Sequence, residues 1–296
     1  MAISHWKRTA VKCFRDTDDH HILAYAAAMS YYFVLALFPA LIALAATVAY
    51  LPIPNMFSII VSSLARVMPP ESMVLVQTIV ADIITPNPGP LLSVGLLGTL
   101  WSVSGGFANM IEALNIACDV QESRPIWKTR LLALGLTLLI GGLIEVAFCC
   151  ILVGPHFGEL LAANFGLSRV FAVLWPMLRY FCALMFLLLA IVGIYRIAPN
   201  TSYTLKQVLP GAGFAVLTWL LLSSALSFYF RNLANLNRTY GALGGCIALL
   251  LWLYWTAFLI LLGAELNSEL VQVSADSKFG IDPRAGPPLL GKRFPF

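Results

Sequence analysis

Long apolar runs with almost no charge alternate with short polar joins along nearly the whole chain. Between Asp19 and Arg66 only His20 and His21 could carry charge near neutral pH, and similar runs recur downstream. A helix needs about 20 apolar residues to cross a bilayer core. Six runs reach that length: roughly Ile22 to Tyr50, Leu91 to Ile111, Leu131 to Val153, Val170 to Ile197, Val208 to Phe230 and Ala242 to Ala264. The pattern predicts an all-α, polytopic membrane protein of six transmembrane helices.

The joins are unequal. Leu51 to Pro90 is too long for a turn and too apolar to lie free in water. Within it, Met56 to Met68 and Glu71 to Ile84 read as short amphipathic helices of the first external loop, broken by Pro69 and Pro70. In the second, Glu71, Thr78 and Asp82 share a face opposite Leu75, Ile79 and Ile83. The chain thus divides into an N-terminal segment (1–21), a six-helix domain (22–273) and a tail (274–296). The tail is rich in Pro, Gly and charge and lacks helical periodicity, which predicts flexibility. Gly98, Ser102 and Gly106 form one small-residue stripe and Gly241 and Gly245 another. Such stripes let helix backbones approach closely, within a chain or between copies, so a homo-oligomer is compatible with them.

Composition moves the same way: 60% of residues are hydrophobic and 11% charged, against roughly 25% charged in soluble domains. No soluble core could hide that much apolar surface. Charge then sets orientation, because basic residues of short loops stay cytoplasmic. Lys7, Arg8, Lys12, Arg15, Arg124, Lys128, Arg130, Arg196, Lys206, Lys278, Arg284, Lys292 and Arg293 fall on one side, against Arg66, Arg169, Arg231 and Arg238 on the other. Both termini are therefore expected in the cytoplasm. The first run is too long for a signal-peptide core and has no evident cleavage site, so it is expected to stay as an anchor. The net charge of +4 reflects this topology and contact with anionic lipid headgroups. No basic run interleaved with aromatics suggests a nucleic-acid partner. The six cysteines show neither CxxC nor paired Cys/His spacing and read as small buried hydrophobes.

A charge inside the membrane costs about 2.5 to 3.5 kcal/mol at a helix centre, so it needs a partner or a purpose. Glu145 and Arg179 lie on consecutive antiparallel runs at matched depth, roughly 12 to 14 Å from the outer ends at 1.5 Å per residue. They are expected to form an ion pair, as a structural clasp or as the lining of a substrate path. A second polar set gathers at the cytoplasmic ends: Glu112 and Asn115 leaving the second run, Glu265 and Asn267 leaving the sixth, with Tyr31 and Tyr32 beside them in the first. This set is the candidate cytoplasmic rim. Arg231 and Arg238, in the basic and amide-rich outer join RNLANLNRTYG, would suit an anionic group. Asp16, Asp18, Asp19, His20 and His21 crowd together but lack the ligand spacing of a metal site, so neither metal nor cofactor is expected.

Three stretches carry a resemblance: AAAMSYYFVLALFPALIAL from Ala26, EALNIACDV from Glu112 and YGALGGCIALLLWLYWTAFLILLGAELN from Tyr240. From about Ala24 to Asn267 the chain resembles the YihY/BrkB family. The resemblance implies a six-helix bacterial inner-membrane protein. Some members carry an older ribonuclease BN label, and transport of an envelope component has been suggested for the group. No P-loop, HExxH or GxSxG motif is present, and the soluble parts are too short for a catalytic domain. The expectation is a non-enzymatic protein that transports or translocates an amphipathic or lipid-linked envelope component, with membrane lipids as partners and no ATPase of its own. The alternative is a non-transporting scaffold or envelope assembly factor.

Overall fold

The apolar runs become six long helices: α1 Ile22–Ala49, α2 Leu91–Ala117, α3 Ile126–Leu152, α4 Arg169–Ile197, α5 Leu205–Asn232 and α6 Ala242–Phe279. The computed structural model describes residues 12–13, 15–49, 91–152, 169–232 and 242–279, with scattered positions in 62–77 and 154–161; the side chains of 37–49, 91–102, 152, 169–170, 172–173, 231–232, 242–243 and 275–279 are outside that description. Residues 12, 13 and 15–19 are also helical. Helix is the outcome the composition demands, since apolar surroundings offer backbone N–H and C=O groups no partners but each other. Among the described residues, Ile126–Ile151, Leu174–Ile197, Leu205–Phe230 and Gly244–Ser274 are long and apolar enough to cross a membrane, and Ile22–Ala36 is a shorter apolar helix. The loop helices expected at 56–68 and 71–84 lie outside the described residues.

Helix ends at one pole are fixed by local chemistry. Asp119 closes α2 with a left-handed backbone (φ 54°), while Val120 N–H donates to Asn115 O at 2.9 Å and Asp119 N–H to Ile116 O at 3.0 Å. That is a Schellman closure with Asp in the place usually held by Gly. At the start of α5, the Gln207 side chain reaches back to accept from Thr204 N–H at 2.8 Å, one half of a capping box.

Each helix packs on its sequence neighbours and α6 returns to α1, closing a ring; α6 also reaches α2, and α1 reaches α3. The buried core lies toward the pole that carries the 118–125 and 198–204 connections. It takes Ile22, Ala26 and Met29 from the start of α1, Met110 and Leu114 from the end of α2, Leu136 from α3, Tyr195 from the end of α4, Ala212 from α5 and Leu261 and Ala264 from α6. Outward, Leu138, Leu178, Phe181, Leu217 and Leu221 are exposed, the surface an apolar solvent would cover.

At the α5–α6 seam the two backbones come close together. A Cβ on Gly211 would strike Gly263 O and come within 2.6 Å of the Asn267 side chain, and one on Gly263 would lie 2.7 Å from Gly211 O. Tyr195 O–H donates to Ile260 O at 2.5 Å. Farther along, Trp219 Nε1–H donates to Thr256 Oγ1 and Trp252 Nε1–H to Ser223 Oγ, both at 3.1 Å, so each helix lends the other an indole donor and a hydroxyl acceptor. Of the small-residue stripes, Gly106 meets Tyr32, whose Cβ would be 2.8 Å from an added methyl. Gly241 and the surroundings of Gly98 and Ser102 are outside the description. The sixth helix continues past Ser274, where the tail was expected to begin, to Phe279; hydropathy marks where an apolar run ends, not where a helix does.

Candidate functional site at the polar pole

Beyond its apolar run, α6 carries Glu265 and Glu269, one turn apart and both buried. Two uncompensated carboxylates could not remain ionised there. Their partners come from the far end of the chain. The helical residues 12, 13 and 15–19 lie against α6, with Cys13 and Thr17 turned inward and Thr17 Oγ1–H donating to Cys13 O at 2.7 Å. Lys12 Nζ donates to Glu269 Oε1, donates to Gln272 Oε1 at 2.9 Å, and lies 3.9 Å from Asp16. His20 Nδ1 is 2.5 Å from Glu265 Oε1 and its Nε2 is 3.4 Å from Asp119 Oδ1. With a carboxylate at each ring nitrogen, both nitrogens serve as donors, so the ring is an imidazolium. The hydrogen bonds to Asp119 and Glu265 outweigh burial and carry its pKa up to about 10. The same contact with His20 holds Asp119 below the usual carboxylate range. Gln272 Nε2 also reaches Asp119, at 3.4 Å.

A second set stitches the two connections at this pole. Arg124 donates to Glu122 through Nε (2.7 Å) and Nη2 (2.6 Å), and through Nη2 to Ala198 O at 2.8 Å. This two-pronged contact lowers the Glu122 carboxyl to about 2. Buried Asn115 donates to Glu122 at 2.9 Å and accepts from Asn200 N–H at 2.7 Å. Asn267 sits at the proline break of α5: it accepts from Gly211 N–H at 2.7 Å and donates to Val208 O at 3.1 Å, flanking Pro210. Between these sets, Cys118, Tyr195, Pro199, Tyr203, Ala264 and Asn267 line a cleft too tight for a water molecule. At this pole the bonds between side chains lie over the buried apolar core.

A family model described as Virulence factor BrkB matches residues 13–287. The chain belongs to the BrkB family. It is 36% identical over 245 residues to the ribonuclease-like protein YfkH of Bacillus subtilis (strain 168), covering 83% of this chain and 88% of that protein. It is 40% identical over 80 residues to a UPF0761 membrane protein of Xanthomonas campestris pv. campestris (strain B100), covering 27% of this chain and 19% of that one. No solved structure matches. This BrkB-family chain is therefore a membrane protein.

Of the expected rim, Glu112, Asn115, Glu265 and Asn267 do lie at one pole, but they do not share one surface. Asn115, Glu265 and Asn267 are buried in separate bonds, while Glu112 is exposed and accepts from Tyr25 O–H at 3.2 Å. Tyr31 and Tyr32 stand apart from it, packed edge to face at 5.6 Å where Tyr32 fills the groove at Gly105 and Gly106. The ion pairs among the described residues do not include Glu145–Arg179. Arg179 instead lies over the Tyr180 ring, 4.9 Å from its centroid, and its methylenes fill the space a side chain at Gly154 would need. The side chain of Arg231 and the whole of Arg238 lie outside the described residues. The residues the sequence reading missed are Lys12, Asp119 and Glu269; His20 was seen only as one of a crowd. The available signal was two acids one turn apart just past an apolar run, which require cations from elsewhere.

Proposed function

We propose that this BrkB-family protein crosses the bacterial inner membrane six times with both termini in the cytoplasm, and that it moves an amphipathic or lipid-linked envelope component across that membrane. The polar pole is then the cytoplasmic end, seen closed. The observation that carries this reading is how that end is shut. Buried ion pairs are poor stabilisers, and a well-packed apolar plug of the same volume would seal as firmly or better. A closure built from Lys12, His20, Asp119, Glu265 and Glu269, drawn from three distant stretches of chain, can exchange its partners for water. That suits an end that must open. The reading assigns the chain no ATPase and no catalytic step. The ribonuclease-like label belongs to the Bacillus relative, and the side chains at this pole are engaged with one another.

The test is leaflet exchange of fluorescent phospholipids and of a fluorescent lipid-linked sugar in liposomes holding the purified protein. Exchange of either probe faster than in protein-free liposomes supports translocation. Exchange no faster than in those liposomes, for both probes, overturns it in favour of a non-transporting scaffold. The scaffold reading draws its own support from the water-tight cleft between Cys118, Tyr203 and Asn267.

A further inference from the structure

The two residues other than glycine with left-handed backbones among those described, His21 (φ 51°) and Asp119 (φ 54°), both adjoin His20. Each such conformation costs on the order of 1 to 3 kcal/mol and persists only where its surroundings enforce it. At His21 the chain leaves the N-terminal helical stretch, with His20 N–H donating to Asp16 O at 2.8 Å, and enters α1, with Ala24 N–H donating to His21 O at 2.9 Å. His21 is therefore a one-residue pivot between two helical pieces. At Asp119 the strained closure of α2 aims a carboxylate at His20.

We propose that residues 12, 13 and 15–20 form a latch, hinged at His21, which clamps the polar end of α6 through Lys12–Glu269 and His20–Glu265 and ties it to α2 through His20–Asp119. Its release is the step that lets α6 part from α5. This deepens the transport reading by naming the regulator of the closed end.

The case rests on what the same short length of α6 holds on its other side. Glu265 and Glu269 face the latch, while Asn267 between them is wedged at the proline break of α5, bonded to Val208 O and Gly211 N–H. Pro210 has already removed the donor that Lys206 O would meet in that turn, and Asn267 adds bonds to the neighbouring Gly211 N–H and Val208 O. Any rotation of α6 that draws Glu265 and Glu269 from the latch also withdraws Asn267 from α5. The two closures are mechanically one, and the latch is the charged, exchangeable part of it. Lys12 is partly exposed (41%), whereas Glu269 is not (3%); the latch side can reach water while the acid waits for a cation.

The test is hydrogen–deuterium exchange on the full-length protein in lipid nanodiscs, native beside Lys12→Gln, His20→Gln, and the swapped pair Lys12→Glu with Glu269→Lys. Latch release should speed exchange about tenfold or more in both 205–212 and 263–272 for each single variant, with helix α3 unchanged and the swapped pair restoring protection. Unchanged exchange in both segments for both single variants overturns the latch. So does faster exchange confined to 12–20, which would mean a tether with no hold on α5. Lipid exchange by the same variants separates the two proposals. Loosening of both segments with no lipid movement by any variant keeps the latch and removes transport. Lipid movement by the native protein with no loosening keeps transport and removes the latch.

Discussion

Glycine plays opposite roles in two parts of this bundle. On the α5–α6 seam, Gly211 and Gly263 bring backbone against backbone, and an added Cβ at either would strike the other's carbonyl oxygen. On α3, Gly135, Gly141 and Gly142 have nothing within 4 Å of where a Cβ would be, and Leu138, Leu139 and Ile144 around them are exposed. The seam is built like a soluble core with polar stitches, whereas α3 presents a face that only an apolar solvent would accept. A glycine in the sequence does not announce which role it has; what its neighbours bring opposite it decides.

The contrast breaks most directly at Gly211→Ala. The atom struck belongs to the Gly263 backbone, which cannot rotate aside, so the helices must separate and Asn267 must leave its bonds. A loss of about 3 kcal/mol, the upper part of the usual range for overpacking, is expected as a fall in the unfolding midpoint in detergent. Asn267→Ala comes next. It leaves Gly211 N–H and Val208 O buried without these partners and should cost about 1 to 3 kcal/mol.

The seam's pole is also titratable in a way α3 is not. Because its folded pKa is raised from 6.5 to about 10, His20 contributes stability that is fully present below pH 6.5 and is lost as pH rises through 10. Glu122, lowered from 4.5 to about 2, contributes above pH 4.5 and loses that contribution as pH falls through 2. Thermal midpoints scanned across pH should therefore decline on both sides. His20→Gln should weaken the decline that begins above pH 6.5 and also remove the acid-side contribution that Asp119 draws from its contact with His20; a scan that kept the decline below pH 9, where the raised cysteines and tyrosines do not yet titrate, would remove His20 as its cause.

The helices were legible because bilayer crossing imposes a length and a polarity that hydropathy reads directly. The run Val170 to Ile197 became Arg169–Ile197, and Ile22 to Tyr50 became Ile22–Ala49. The α6 extension to Phe279 was not legible, since hydropathy reads where an apolar run ends and not where a helix does. The same holds for the site. Asn115, Glu265 and Asn267 stood out as polar groups at the ends of apolar runs, but their partners Asn200, His20 and Gly211 lie 56 to 245 residues away. Of the three, Asn115 also has a partner close in sequence, Glu122.

Thr256→Val probes the seam where it is apolar. It removes the acceptor for Trp219 and the donor to Trp252 O while keeping the volume. Hydrogen bonds between helices in a membrane average about 0.6 kcal/mol, so a small loss of that order is expected. Trp219→Phe should cost less on top of it than alone, by the bond already gone, while the loss of its packing on Trp252 stays the same in both backgrounds; a double-mutant cycle in unfolding midpoints checks this.

Gly141→Ala and Gly142→Ala should have the smallest effect and are the sharpest control. With open space at both positions, an added methyl meets no protein atom, and replacing an interior helical glycine relieves up to about 1 kcal/mol of backbone entropy cost. The midpoint should stay level or rise. A fall as large as that of Gly211→Ala would mean that something covers this face of α3, and the lipid-facing assignment would have to give way to a contact with another chain. A fall that vanished on dilution into excess detergent would identify that contact as a second copy, because self-association depends on protomer concentration and packing within one chain does not. The seam glycines cannot make this distinction, since their cost is intramolecular at any dilution.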